Sequence, residues 1–366
     1  MEKIKDLKAP TLRVMAWEIT RTCSLNCKHC RAKAADRAYA NELSTEECYR
    51  VLDAVASFAS PIVILTGGEP MARPDFLSIV EYGTSLGLRM AAAPCGPLVD
   101  RESARAMKEA GIRRISLSLD GADAQTHDAF RGVSGSFDAV LSAAEAAHEV
   151  GLEYQINTTI SMFNSHQLDK IMDLAQELGA VAFHPFLLVP TGRGEDLAEY
   201  EISADAYEEM LHRFYEKSLE KSIEMKPTCA PHYYRVLRER EHEAGRKVTM
   251  QSHGMAAMTK GCLGGKGFVF LSHTGKLQIC GFLDIEAGDI RAGNFDFAGL
   301  WRDAPLFQEV RRVDEYGGTC GVCEYRRVCG GCRARAYAAS GDYMAEEPRC
   351  IYIPEENGGE NEVESG

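Results

Sequence analysis

Three thiols set the chemistry that this chain can do. Cys23, Cys27 and Cys30 stand in the spacing Cys-x3-Cys-x2-Cys, within Trp17-Glu18-Ile19-Thr20-Arg21-Thr22-Cys23-Ser24-Leu25-Asn26-Cys27-Lys28-His29-Cys30. A cuboidal iron–sulfur cluster asks for four ligands, usually thiolates. Three closely spaced thiolates satisfy three irons and leave one open. An open iron on a reducing cluster can take a small molecule through nitrogen and oxygen and pass it one electron. The plain alternatives are a zinc site or part of a disulfide framework. Zinc sites, however, show paired Cys-x2-Cys or Cys/His sets, and this spacing is neither.

A second set of thiols lies far downstream. Cys229, Cys262 and Cys280 are followed by Cys320-x2-Cys323-x5-Cys329-x2-Cys332 and by Cys350. One Cys-x2-Cys alone says little. Seven cysteines from Cys262 onward, in this order behind the first motif, point to auxiliary iron–sulfur binding, with a zinc ribbon as the alternative. Cys48 falls within a helix and reads as structural. Cys95, in Pro94-Cys95-Gly96, stands at a strand end and reads as an inert thiol, since buried cysteines behave as small apolar residues.

The elements that carry these residues alternate. Strands are expected over 12–19, 61–65, 88–93, 112–119, 152–159 and 181–189, and helices over 44–58, 76–86, 100–110, 137–150 and 166–178. Ser44 and Glu47 form a capping box for the first helix. The strands are continuous apolar runs of the kind buried in a parallel sheet. In barrels the chemistry sits where strands end. After the second strand, Gly67 and Gly68 allow close backbone approach, and Glu69 suits an ammonium group. On their own, Thr66-Gly67-Gly68-Glu69-Pro70 would read as a turn. After the sixth strand, Arg193 lies between Gly192 and Gly194, where it could grip a carboxylate bidentately. An amphipathic helix over 204–224 precedes a change of composition at Lys226-Pro227-Thr228-Cys229. A hairpin is expected over 268–271 and 277–282, with Cys280 on its second strand.

With 366 residues, 45% hydrophobic and 26% charged, the chain can form one large domain and a smaller one. A formal charge of −13 argues against nucleic acid as a partner. The polar start is unlike a signal peptide, and no apolar run is long enough to cross a bilayer, so no membrane role and a cytoplasmic location are expected. Thirteen cysteines in that compartment suggest metal or redox work. The acidic tail, 353–366, lacks apolar anchors and is expected to be disordered.

The cysteine motif and the Gly-Gly-Glu-Pro strand end together resemble the radical S-adenosylmethionine (SAM) enzymes, and the downstream cysteines resemble their SPASM extension. That resemblance implies an α/β fold: a partial (β/α)6 TIM-like barrel over 1–225, and a cysteine-rich auxiliary iron–sulfur region over 226–352. It implies a 4Fe–4S cluster on Cys23, Cys27 and Cys30 whose fourth iron chelates SAM. It also implies SAM contacts from His29, Gly67, Gly68, Glu69, Ser118, Asn157, Arg131 and Leu188, with Asp120 a weaker candidate. One auxiliary 4Fe–4S cluster would use Cys320, Cys323, Cys329 and Cys350. A second could use Cys229, Cys262, Cys280 and Cys332, although the two-residue gap between Cys329 and Cys332 departs from the family pattern.

Longer segments resemble the haem b synthases, the radical SAM decarboxylases of the alternative haem pathway. These segments include His127-Asp128-Ala129-Phe130-Arg131-Gly132, 183–194, Cys229-Ala230-Pro231 and Cys329-Gly330-Gly331-Cys332-Arg333-Ala334-Arg335. The implied reaction removes hydrogen from two propionates of iron-coproporphyrin III, then carbon dioxide and an electron, to give vinyls. A low-potential electron donor is also implied. Arg193, Arg235, Lys266, Arg333 and Arg335 are the candidates for the substrate's carboxylates, and His184 or His232 could approach its iron. The rival readings are an enzyme acting on another tetrapyrrole, of the haem d1 type, a SPASM peptide maturase, and a non-catalytic electron carrier.

Overall fold

The computed structural model describes residues 9–253 and 261–354. The acidic tail from residue 355 lies outside the described residues. Six parallel strands, β1 (Val14–Thr20), β2 (Ile62–Gly67), β3 (Arg89–Ala92), β4 (Arg114–Ser118), β5 (Glu153–Ile160) and β6 (Ala182–Leu187), follow one another in spatial order. Helices α1 (Thr45–Ala56), α2 (Phe76–Ser85), α3 (Arg101–Ala110), α4 (Ala124–Arg131), α5 (Ser136–Val150) and α6 (Leu168–Glu177) lie between them. Strand β5 alternates buried residues with partly open ones: Tyr154, Ile156, Thr158 and Ile160 are buried, while Gln155, Asn157 and Thr159 are not. The first set packs under the helices, and the second faces the inside of the partial barrel, because successive side chains point to opposite faces.

The helix starts are written locally. At α1 the Ser44 hydroxyl accepts from the Glu47 amide while the Glu47 carboxylate accepts from the Ser44 amide, as the spacing predicts. Helix α4 was not expected. Its only strongly apolar residue is Phe130, so it lacks a clear periodic stripe, and the Asp123 cap at Thr126 N starts it.

After α7 (Ala204–Glu220), a short strand β7 (Glu224–Met225) adds beside β6. Helix α8 (Tyr233–Glu243) follows. The expected hairpin forms as β8 (Phe268–Leu271) and β9 (Lys276–Gln278), with β10 (Gly288–Asp289) beyond it. Strand β8 runs parallel to the free edge of β1, in the register Val14↔Phe268 to Trp17↔Leu271. The cysteine-rich part is therefore stitched into the barrel's own sheet, making ten strands in the order β10-β9-β8-β1-β2-β3-β4-β5-β6-β7. Cys280 falls two residues past β9 rather than on it. Among the described residues no helix is long and apolar enough to cross a membrane.

Candidate active site

The thiol loop leaves the top of β1 and is anchored on all sides. Glu18, fully buried, binds Arg21 Nε at 2.8 Å, Arg31 Nη1 at 3.0 Å and His273 Nδ1 at 2.7 Å. This one carboxylate ties both arms of the loop to the β8–β9 turn. Arg193 donates to the carbonyls of Cys27 at 2.8 Å and Ala34 at 2.7 Å. Backbone amides of Leu25 and Ala34 approach the sulfurs of Cys23 and Cys30 at 3.4 Å each, and Arg131 Nη1 lies 3.6 Å from the sulfur of Cys27. Burial pushes the Cys27 thiol up, while Arg131 pulls it back. Three buried or half-buried sulfurs ringed by N–H donors and a guanidinium suit anionic thiolates, and hence a cluster with a positive core.

The end of β2 packs straight onto this loop. A Cβ on Gly68 would stand 2.5 Å from Thr22 O, 2.6 Å from Arg21 O and 2.7 Å from Cys23 Cβ. One on Gly67 would stand 2.1 Å from Thr20 O. Both glycines thus serve the close approach of strand and loop. Glu69 is buried, and its carboxylate accepts from the amides of Met71 at 2.9 Å and Cys95 at 2.6 Å. Burial raises its pKa, and the amide bonds only partly offset this. An arriving ammonium would be favoured there. Cys95 is not a passive apolar filler: its thiol donates to Gly68 O at 3.1 Å and lies 3.9 Å from the sulfur of Cys23.

The far wall comes from β4, α4, β5 and the turn after β6. Asp120 is fully buried; burial alone would raise its pKa, but Arg131 beside it, at 2.6 Å, holds it low. Arg131 thereby bridges Asp120 and Cys27 with its two η nitrogens and holds the loop, while its buried Nε has no partner among the described residues. His29 stacks on Phe130 at 4.3 Å and sits 3.8 Å from Asp120. Burial depresses its pKa to about 4, so the ring is neutral. Leu188 packs with Phe130 and Leu197 in one apolar patch. Ser118 and Asn157 stand opposite each other on the inner face.

The downstream thiols gather in two places. Cys320, Cys323, Cys329 and Cys350 all line one small cavity, partly open to solvent, together with His232, Arg235, Glu347 and Tyr352. Both ring nitrogens of the fully buried His232, and Nε of Arg235, lack partners among the described residues. Orphaned N–H groups around four thiols fit a group whose surface is made of acceptor sulfurs. Burial raises the pKa of Cys229, Cys280 and Cys332, and Cys262 lies close enough that its charge raises each of them further. Among the described residues no three His, Cys, Asp or Glu side chains close around a single ion.

The cations expected at substrate carboxylates mostly have partners within the protein. Arg235 is buried between Glu208 at 2.5 Å and Glu239 at 2.6 Å. Arg333, fully buried, donates to the carbonyls of Tyr343 at 3.0 Å and Ala345 at 2.6 Å, and points at the sulfur of Cys320, 3.7 Å away. Arg335 pairs with Glu347 at 3.2 Å and Glu201 at 3.3 Å and also donates to Leu188 O and Cys229 O, both at 3.2 Å. Lys266 donates to the Tyr316 hydroxyl at 3.2 Å. Arg193 keeps one buried nitrogen, Nη2, without a partner among the described residues. Apart from Glu239, one helical turn after Arg235, their partners lie ten or more residues away, so the local pattern says little about these cations being held within the protein.

A partial parallel barrel with three thiols on the loop after its first strand, and a Gly-Gly-Glu end on its second, defines a radical SAM protein. The Radical SAM superfamily profile matches residues 17–178. An "AdoMet-dependent heme synthase" of Nitratidesulfovibrio vulgaris is 49% identical over 94% of this chain and 94% of its own length. One of Methanosarcina barkeri is 48% identical over 93% of this chain and 97% of its own. A "Pre-heme d1 synthase" of Dinoroseobacter shibae is 27% identical over 96% of this chain and 89% of its own. In structure, Streptococcus suis SuiB bound to S-adenosylmethionine superposes with a TM-score of 0.73, at 18% identity, over 93% of this chain and 78% of that one, which shows a shared fold. The chain belongs to the AdoMet-dependent heme synthase family of radical SAM proteins.

Proposed function

We propose that the protein makes haem b by oxidative decarboxylation of two propionates of iron-coproporphyrin III to vinyl groups. The observation that carries this reading is a SAM-type thiol loop together with a separate four-thiol cavity, in a chain with near-50% identity to haem synthases along almost its full length. Cys23, Cys27 and Cys30 hold the SAM cluster, and Cys320, Cys323, Cys329 and Cys350 hold an auxiliary one. Cys229, Cys262, Cys280 and Cys332 are positioned for another. When bound, the cluster and SAM supply one-electron cleavage and hydrogen abstraction from an unactivated carbon. The protein's own residues bind, orient and shield. Glu69 receives the SAM ammonium, and Ser118 and Asn157 offer hydroxyl and amide groups at the strand tips. The His29–Phe130 stack and the Leu188 patch wall off water. The auxiliary thiols would hold the group that takes up the surplus electron, and a low-potential donor would supply the electron that starts each turnover.

The pre-haem d1 type of reading is the weaker one, because the likeness to that relative is far lower over a similar span. The test is an anaerobic incubation of reconstituted protein with SAM, a reductant and iron-coproporphyrin III, followed by mass spectrometry. The expected result is stepwise loss of two formic-acid equivalents with 5′-deoxyadenosine formed alongside. SAM cleavage with the porphyrin unchanged would overturn the substrate.

A further inference from the structure

Three strands and the segment just after β7 bring one side chain each to a common level inside the barrel. Ser118 on β4 stands opposite Asn157 on β5, and Asn157 opposite His184 on β6. The pairs Phe183↔Met225 and Phe186↔Thr228 fix the register of the next segment. Lys226 therefore stands opposite His184. Phe183, next to His184, is buried under the helices, so His184 and the residues level with it face the inside.

The fold uses one ring nitrogen of His184 and leaves the other, and the Lys226 ammonium, without partners among the described residues. Gln155 Nε2 lies 2.8 Å from Asn157 Oδ1 and 3.1 Å from His184 Nδ1. An amide nitrogen has only hydrogens to offer, so Nδ1 accepts and the ring proton sits on Nε2. That Nε2–H is shut away from solvent and has no partner among the described residues. A protonated Nε2 is a donor and is not set to ligate iron. The ammonium of Lys226 makes no hydrogen bond or ion pair among the described residues. The carboxylate that acts on it is that of Glu224, which is exposed and already faces Arg114 at 3.5 Å. Burial lowers the pKa of both Lys226 and His184, so each lacks the anion that would stabilise its charge or its N–H.

A free N–H donor level with an unpaired ammonium is a seat for a carboxylate. Two carboxylate sources enter this barrel on the reading above: SAM and the tetrapyrrole. The groups suited to the amino-acid end of SAM, the thiol loop and Glu69, are at β1 and β2, five and four strands away from β6. Lys226, by contrast, lies three residues before Cys229 and six before His232 of the auxiliary cavity. We propose that His184 and Lys226 hold the propionate carboxylate of the tetrapyrrole substrate that is about to be lost. The inference rests on the haem-synthase reading. It places the reacting arm level with Ser118 and Asn157, at the edge of the barrel from which the chain runs on to Cys229. A vinyl product has no carboxylate to fill this seat, so each decarboxylation empties it for the next propionate.

The test compares Lys226→Met, Lys226→Arg and His184→Phe in reconstituted protein with full cluster content. The dissociation constant of iron-coproporphyrin III is read from its absorbance, and that of SAM by equilibrium dialysis. Lys226→Met and His184→Phe are expected to weaken porphyrin binding about tenfold or more, the scale of one charge-assisted hydrogen bond. SAM binding should stay within about twofold, and Lys226→Arg should keep most of the porphyrin affinity, which a merely structural role would not explain. Weakened SAM binding with porphyrin binding unchanged would give the seat to SAM and overturn the proposal. So would no change in either. A wild-type protein that neither binds nor converts iron-coproporphyrin III would fell the functional reading itself, whereas wild-type conversion with unaffected variants fells the seat alone.

Discussion

At Glu18 one carboxylate meets two guanidiniums and an imidazole with no water around it. Burial alone would raise its pKa, yet Arg31, His273 and Arg21 hold it at about 2, against 4.5 when free. Because the folded value is the lower one, the stabilisation is complete above the free value and is lost as the pH falls toward the folded one. Its full size is on the order of 3 kcal/mol. The difference in unfolding free energy between wild type and Glu18→Gln should therefore shrink by about 1 kcal/mol from pH 6 to pH 4, measured by urea denaturation. A difference that is flat or grows with acidity would show that the hub is not ionised as described. Arg131 makes the complementary case. Removing it leaves Asp120 buried and unpaired, a change that typically costs about 3–5 kcal/mol. Arg131→Met should lower stability on that scale and reduce the iron held by Cys23, Cys27 and Cys30, whereas Asp120→Asn/Arg131→Met together should recover part of the stability.

At the scale of elements, the register between the end of β2 and the thiol loop is set by the missing Cβ of Gly68. Gly68→Ala would press a methyl to within 2.7 Å of two carbonyl oxygens and the Cβ of Cys23. Backbone cannot give way as a flexible side chain would. The expected outcome is loss of the SAM-cleaving cluster with the auxiliary iron retained, seen as a drop in iron per chain and in the SAM-sensitive electron paramagnetic resonance signal. An unchanged signal would mean that the loop has slack. What the sequence reveals follows the same division. The strands, α1 with its Ser44–Glu47 box, and the three-thiol loop are legible because each is written within a few neighbouring residues. Helix α4 is not, since it is held by a cap and by Phe130 rather than by a periodic apolar stripe. The role of Arg335 is not either, because one of its partners, Glu201, is 134 residues away. The level shared by Ser118, Asn157, His184 and Lys226 depends on strand register, which no local pattern encodes.

Across the whole molecule, barrel and cysteine-rich part are joined twice. On one side β8 pairs with β1, and Arg291 grips both oxygens of Glu47 at the start of α1, at 2.7 and 2.6 Å. On the other, Arg335 gathers Glu201, Glu347, and the carbonyls of Leu188 and Cys229, so that the end of β6 and two thiol-bearing loops share one guanidinium. The first joint is partly exposed, so Arg291→Ala should cost little, within the roughly 0–1 kcal/mol of solvent-screened pairs. The second is buried. Arg335→Met would strand Glu347, whose carboxylate also accepts from the Cys332 amide at 2.7 Å, and should destabilise by about 3–5 kcal/mol. The consequence for function differs from that of Gly68→Ala. With the first thiol loop intact, Arg335→Met should still cleave SAM, but should hold less auxiliary iron and form less product per SAM consumed. Equal product yield per SAM at normal auxiliary iron content would mean that this joint only packs the two parts together. A fall in both would mean that it also positions the thiols through which, on the reading above, the electron leaves.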